Sequence, residues 1–196
     1  MKNKQPTRGN GFLEKFLAKI RSETADRLIP DNLRNGAILD IGCGNYPYFL
    51  DNIVFSRKFG ADKLTAGMDG KKITFNNINI ENESLPYQNE MFDAIVMLAS
   101  IEHIERKKLP GLFQEINRVL KKNGVFVITA PTSSGNKILK LMAALNIVSP
   151  EEIKEHTGGF AKKDILNYLK ISGFSYEEFK NGLFEFGFNN WFLIKK

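Results

Sequence analysis

The stretch Ala37-Ile38-Leu39-Asp40-Ile41-Gly42-Cys43-Gly44-Asn45-Tyr46 constrains the fold of this chain more than any other. Ile38, Leu39 and Ile41 are apolar at neighbouring as well as alternate positions. That is the mark of a strand covered on both faces, as in a parallel sheet sandwiched by helices. Gly42 and Gly44 then permit positive φ and put no Cβ between the backbone and a ligand. Residues 46–59 are predicted to continue as a helix whose free N-terminal N–H groups face that turn. Strand, glycine elbow and helix start together make a nucleotide-sized cradle.

The rest of the chain repeats this rhythm. Residues 63–69 (KLTAGMD) are predicted as a second short strand ending on Asp69, and 73–80 alternate apolar and polar as a third. Residues 92–99 (FDAIVMLA) are a fourth strand of the fully covered kind, and 125–130 a fifth, stopped by Pro131. Leu109, Leu112, Phe113, Ile116, Val119 and Leu120 share one face of a helix over 108–121, with Asn123-Gly124 as its expected cap. Helices at 135–145 and 161–171 follow, and 174–184 with 186–194 read as an antiparallel hairpin turning near Gly187. The sum is an α/β fold, a wound and mostly parallel sheet with helices on both faces.

Residues 1–10 are expected to form a disordered tail and 11–196 a single domain. Within it, 11–30 carry Phe12, Leu13, Phe16, Leu17 and Ile20 at helical spacing. Such an amphipathic helix docks on its own domain, lids a ligand, or meets a membrane or partner. No apolar run approaches the roughly 18 residues of a membrane span, and the start lacks the pattern of a secretory leader. One cysteine excludes an internal disulfide and a cysteine-built zinc site. The chain is accordingly expected to be soluble and cytoplasmic, with no metal. The net charge of +6 is spread without any run of five basic residues, which reads as a solvated basic surface rather than a nucleic-acid face.

In open sheets of this kind ligands bind beyond the C-terminal strand ends. Those ends carry Asp40 to Asn45, Asp69, Glu81 with Asn82, Ala99 to His103, and Pro131 to Ser133. A dinucleotide site wants G-x-G-x-x-G, but Pro47 stands where the third glycine belongs, and no G-x-x-x-x-G-K occurs. A backbone cradle ringed by carboxylates suits a nucleoside carrying positive charge better than one carrying phosphates, with Asp69 placed to accept from both ribose hydroxyls. Plainer roles stand beside these, Asp40 as a helix cap and Asp69 as a turn acid. Asp93 opens its strand and reads as structural, and Cys43 as a small buried residue.

AILDIGCGNYPYF, LTAGMDG, SLPYQNEMFDAIVMLASIEHI and EINRVLKKNGVFVITAP, four segments in order between Ala37 and Pro131, resemble the class I S-adenosylmethionine-dependent methyltransferases, in particular their methyltransferase-11-like members. EHTGGFAKKDILNYLKISGF is similar to a segment common in the same enzymes. The resemblance implies a Rossmann-like, seven-stranded sheet in the order 3-2-1-4-5-7-6 with the last strand antiparallel. It implies S-adenosylmethionine as cofactor, with Gly42 and Gly44 beside its methionine part, Asp40 near its amino group and Asp69 on its ribose. Glu81, four residues before the leucine of Leu85-Pro86, would face the adenine, with the Asn82 backbone N–H beside it. Ala99 and Ser100 would border the sulfonium and the substrate. Asn45-Tyr46 and Gly70-Lys71 depart from the family pattern, the former putting a tyrosine at the methionine pocket.

Methyl transfer from a sulfonium is an in-line displacement, and a hydroxyl acceptor additionally needs a base. His103, just past the fourth strand, is the candidate base and substrate contact; a structural hydrogen bond at a helix start is its other role. His156, in a glycine-flanked loop, is a second candidate for substrate contact. Ala99-Ser100-Ile101-Glu102 is unlike the Asn-Pro-Pro-Tyr type of motif used on exocyclic amines of bases, which argues against nucleic acid. A small-molecule acceptor is expected, selected by a substrate-side insertion at 131–160. A catalytically silent or regulatory cofactor binder is the rival, and a nicotinamide oxidoreductase the more distant one.

Overall fold

In the computed structural model, which describes residues 12–68, 72–135 and 159–196, one seven-stranded sheet organises the chain. Its strands are β1 (Ala37–Ile41), β2 (Arg57–Asp62), β3 (Ile73–Asn77), β4 (Phe92–Leu98), β5 (Leu120–Pro131), β6 (Glu178–Phe184) and β7 (Asn189–Lys195), in the order β3-β2-β1-β4-β5-β7-β6. The first five pair in parallel, whereas β7 runs antiparallel to both β5 and β6. The implied strand order and the terminal hairpin are both present. β1 lies between β2 and β4, so the order of the sheet reverses at its tip, the place where open sheets of this kind bind ligands.

Successive strand residues point to opposite faces, and both faces are covered. On one, α3 (Leu109–Val119) and α4 (Lys162–Ile171) pack against Leu39, Ile41, Ile95, Met97, Phe126 and Ile128. On the other, α1 (Phe12–Leu28) and α2 (Tyr48–Asn52) lie with Ile38, Ala94, Val96, Val125 and Val127. This two-sided cover is why β1 is buried at every position. The face of α3 is the one its spacing predicts, with Leu109, Leu112, Phe113, Ile116 and Val119 inside. α1 docks on its own sheet through Ser22, Ala25 and the following Ile29, while Phe16 stays exposed. Small residues let the helix approach the strands closely.

Several expectations are corrected. The predicted helix over 46–59 is the five-residue α2, and its C-terminal part is instead β2. The predicted second strand, 63–69, is displaced by β2, and 63–68 form turns after it. Periodicity misleads here because β2 opens with the polar Arg57-Lys58 and needs glycine at position 60, where a Cβ would come 2.8 Å from Cys43 Sγ and from the Phe75 ring. The third strand ends at Asn77 rather than 80. Asn123-Gly124 do not cap α3: the chain passes straight into β5 at Leu120, and Asn123 takes a positive φ of 64° where the pairing with β4 shifts register. The carbonyls of Asn117 and Leu120 at the end of α3 accept instead from Lys196 Nζ, at 2.6 and 2.8 Å. Asp93 is structural as expected, accepting from the Ala37 N–H and from Lys121. The tail at 1–10, the predicted helix beyond Gly135, and Asp69 and His156 fall outside the described residues.

Candidate functional site

The tips of β1, β2 and β4 meet around the glycine elbow. Gly42 and Gly44 hold φ of +81° and +65°, a region that favours glycine. The Gly42 N–H donates to the Ala61 carbonyl (2.8 Å), and the Gly44 N–H to Asp62 Oδ2 (3.0 Å). Asp62 Oδ1 accepts from the Leu64 N–H (2.9 Å), so each of its oxygens holds a backbone N–H of the turns after β1 and β2. A Cβ at Gly44 would meet nothing nearer than Tyr46 N at 4.0 Å, so the elbow opens to free space on that side.

Asp40 and Asp62 are two carboxylates almost wholly removed from water, 4% and 6% exposed. Burial, and then the neighbouring Asp62 charge, push the Asp40 carboxyl from its ordinary range up to about 8. Asp40 Oδ1 is buried with no hydrogen-bond partner among the described residues. A buried oxygen of this kind is costly unless something comes to it. The site therefore fits a ligand that brings a cationic donor to the elbow. Cys43, also buried, has its thiol pushed up by burial and by the two acids, which removes it as a nucleophile. The helix-terminus part of the expectation weakens, since α2 is short and the Tyr48 N–H already donates to the Tyr46 carbonyl.

At the β4 tip, Ala99 adopts a positive φ of 50°, uncommon for a residue with a Cβ. Its N–H is shared between the carbonyl and the Oγ1 of Thr129, both at 3.1 Å. Ser100 is buried and its hydroxyl donates to the Ile41 carbonyl (2.9 Å). His103 is half-buried in the short turn Ile101–His103, its N–H on the Ser100 carbonyl (3.2 Å), beside the buried Glu102. Asp40, Gly42, Gly44, Ala99 and Ser100 are thus brought together.

Glu81 and Asn82 stand apart, on a loop tied to the segment before α3. Glu81 Oε1 accepts from the Glu105 N–H (3.0 Å), and Asn82 Oδ1 from Lys108 Nζ (3.0 Å). The Asn82 N–H, expected to face a ligand, donates to the Asn79 carbonyl. A groove of about 370 Å³ between this loop and α3 includes Glu81 and Asn82 but no residue of the elbow. The elbow, not the groove, collects the buried charge.

Asp62 is the residue that periodicity missed. The signal was present, since an acid about 20 residues past the first glycine is the spacing of a ribose-binding acid in this kind of fold. Asp62 meets that spacing from Gly42 and Asp69 overshoots it.

A family model described as a methyltransferase domain matches residues 11–191. A mitochondrial protein of Danio rerio named arginine-hydroxylase NDUFAF5 is 27% identical over 170 residues, 80% of this chain and 50% of that protein. An uncharacterized protein of Methanocaldococcus jannaschii is 26% identical over 184 residues, covering 83% of this chain and 70% of its own. The chain therefore spans half the length of the hydroxylase relative. Among solved structures, an S-adenosylmethionine dependent methyltransferase from Mesorhizobium loti superposes with a TM-score of 0.66 at 17% identity, over 92% of this chain and 100% of that one. At that identity the likeness is one of fold.

Proposed function

Since the chain belongs to the class I S-adenosylmethionine-dependent methyltransferases, we propose that it transfers the methyl group of that cofactor to a small-molecule acceptor. The observation that carries this is the buried Asp40, with one oxygen unpartnered, above an elbow that opens at Gly44. In this reading Gly42 and Gly44 lie against the methionine part and Asp40 accepts from its ammonium group. Asp62 takes the ribose role first given to Asp69, because it is the acid bonded to the elbow. Glu81, which the resemblance would set against the adenine, instead stands apart with Oε1 on the Glu105 N–H, and Ala99 borders the reacting end. When bound, the cofactor supplies a methyl group on a sulfonium with a good leaving group. The protein then has to align the acceptor and exclude water. His103, half-buried past β4, is the base for a hydroxyl acceptor; a thiol or amine needs less help. The flanks of the 131–160 insertion support a substrate-side position for it: the Phe160 N–H donates to the Pro131 carbonyl at the end of β5.

The relative named an arginine-hydroxylase gives a second reading, in which the same cradle serves other chemistry or none on methyl groups. Calorimetric titration with S-adenosylmethionine and S-adenosylhomocysteine, followed by transfer of labelled methyl to a panel of alcohols, thiols, amines and guanidines, separates the two. Binding with transfer is expected. Binding with no transfer to any of the panel would favour the silent cradle, and no binding would remove both. Asp62→Asn is expected to weaken cofactor affinity by about 1–3 kcal/mol through lost hydrogen bonds, with Asp69→Asn near neutral. The opposite ranking would return the ribose role to Asp69.

A further inference from the structure

We propose that Ser100 is a positioning residue of the cofactor elbow rather than a contact of the acceptor, and that Thr129 acts through it. The inference rests on the cofactor reading above. Three strand tips are joined in series here. Thr129, fully buried on β5, holds the Ala99 N–H with both its carbonyl and its hydroxyl oxygen. That double acceptor holds Ala99 in a left-handed conformation, which a residue with a Cβ keeps at a strand end only where something fixes it. The turn so made brings the Ser100 hydroxyl onto the Ile41 carbonyl, the last one before the elbow. Ser100 also fills the space a side chain at position 42 would need: a Cβ there would come 2.4 Å from Ser100 Cβ and 2.8 Å from its Oγ.

Two consequences follow from this geometry. Gly42 is glycine for its positive φ and also on account of Ser100, because its Cβ space is occupied by protein. The Ser100 hydroxyl, having a single proton, donates it to Ile41 and fixes the plane of the Ile41–Gly42 peptide, which sets the pitch of the elbow. A hydroxyl committed in this way, in a residue 7% exposed, is a poor donor to an acceptor molecule.

The test is calorimetric binding of S-adenosylhomocysteine, which needs no knowledge of the acceptor, with far-UV circular dichroism and the unfolding midpoint recorded for each variant. Ser100→Ala is expected to raise the Kd roughly three- to tenfold, the worth of one net hydrogen bond. Thr129→Val should raise it in the same direction and Thr129→Ser should restore it. Gly42→Ala should be severe in the wild-type background. In a Ser100→Gly background, where the collision partner is gone, adding Gly42→Ala should cost measurably less. A wild-type Kd in folded Ser100→Ala, with wild-type binding intact, overturns the positioning role alone. So do strictly additive Gly42 and Ser100 effects. Should Ser100→Ala not fold, the Thr129 pair decides, and equal Kd values for Val and Ser overturn the proposal. No binding by the wild-type chain overturns the cofactor reading and this inference with it.

Discussion

Asp40 is where burial and charge meet most sharply. Its carboxyl is raised to about 8, first by desolvation and then by Asp62, so at neutral pH the ligand-free protein holds it largely protonated. A raised folded-state value means that the folded chain binds the proton more tightly than the unfolded one. This contribution to stability is complete below about pH 4, the unfolded value, and is lost as pH rises through about 8. The ligand-free protein should therefore lose unfolding free energy across that interval, and Asp40→Asn should flatten the dependence in urea titrations at several pH values. A ligand presenting a cation to Asp40 favours the ionised form. Its affinity should rise with pH up to about 8 and be accompanied by proton release, which calorimetry in buffers of different ionisation enthalpy detects. An affinity independent of pH would separate Asp40 from the ligand. The place of Asp40 at a strand end was legible; its protonation was not, because that depends first on burial by the packed sheet and then on Asp62 lying alongside.

At the scale of elements, α3 and the loop that precedes β4 behave as one piece. Arg118 donates to Glu115 through Nε (2.9 Å) and Nη2 (2.7 Å), and to the carbonyls of Leu85 (2.9 Å) and Tyr87 (2.7 Å). Glu115 Oε2 in turn accepts from the Leu85 N–H (2.9 Å), while Glu105 and Lys108 fasten Glu81 and Asn82 at the other end. Arg118→Ala should destabilise the protein by roughly 1–3 kcal/mol in urea unfolding, the figure being held down by the partial exposure of the pair. Arg118→Lys should recover little of this, since one ammonium cannot reproduce a fork that serves several acceptors. Full recovery by lysine would show that charge alone matters. α3 was legible from its spacing because it covers one face of the sheet and is otherwise wet. β2 was not, since it starts polar, is only partly covered at Lys58 and Phe59, and ends on an acid held by the neighbouring turn.

For the whole molecule, the two packed faces share the same strands, so neither can be lost without the other. Phe126 and Ile128 face α3 and α4, whereas Val125 and Val127 of the same strand face the side of α1 and α2. Trp191 fluorescence, reporting the second face from β7, and far-UV circular dichroism should give coincident urea transitions; separated midpoints would mean that the faces unfold independently. S-adenosylhomocysteine at 100 times its Kd should add about 2.7 kcal/mol to that unfolding free energy. Among the described residues no helix is long and apolar enough to cross a membrane. What the sequence determined unaided was the covered strands β1, β4 and β5, the glycine elbow after β1 and the reversed hairpin, because apolar spacing and glycine freedom are properties of neighbours along the chain. Only the tertiary structure decided which acid stands at the elbow, and that Ser100 gives its hydroxyl to Ile41. Those partnerships depend on strand register: Ile41 pairs with Ala61, which sets Asp62 one step beyond the tip of β1, and a slip of one residue would turn that carboxylate to the other face.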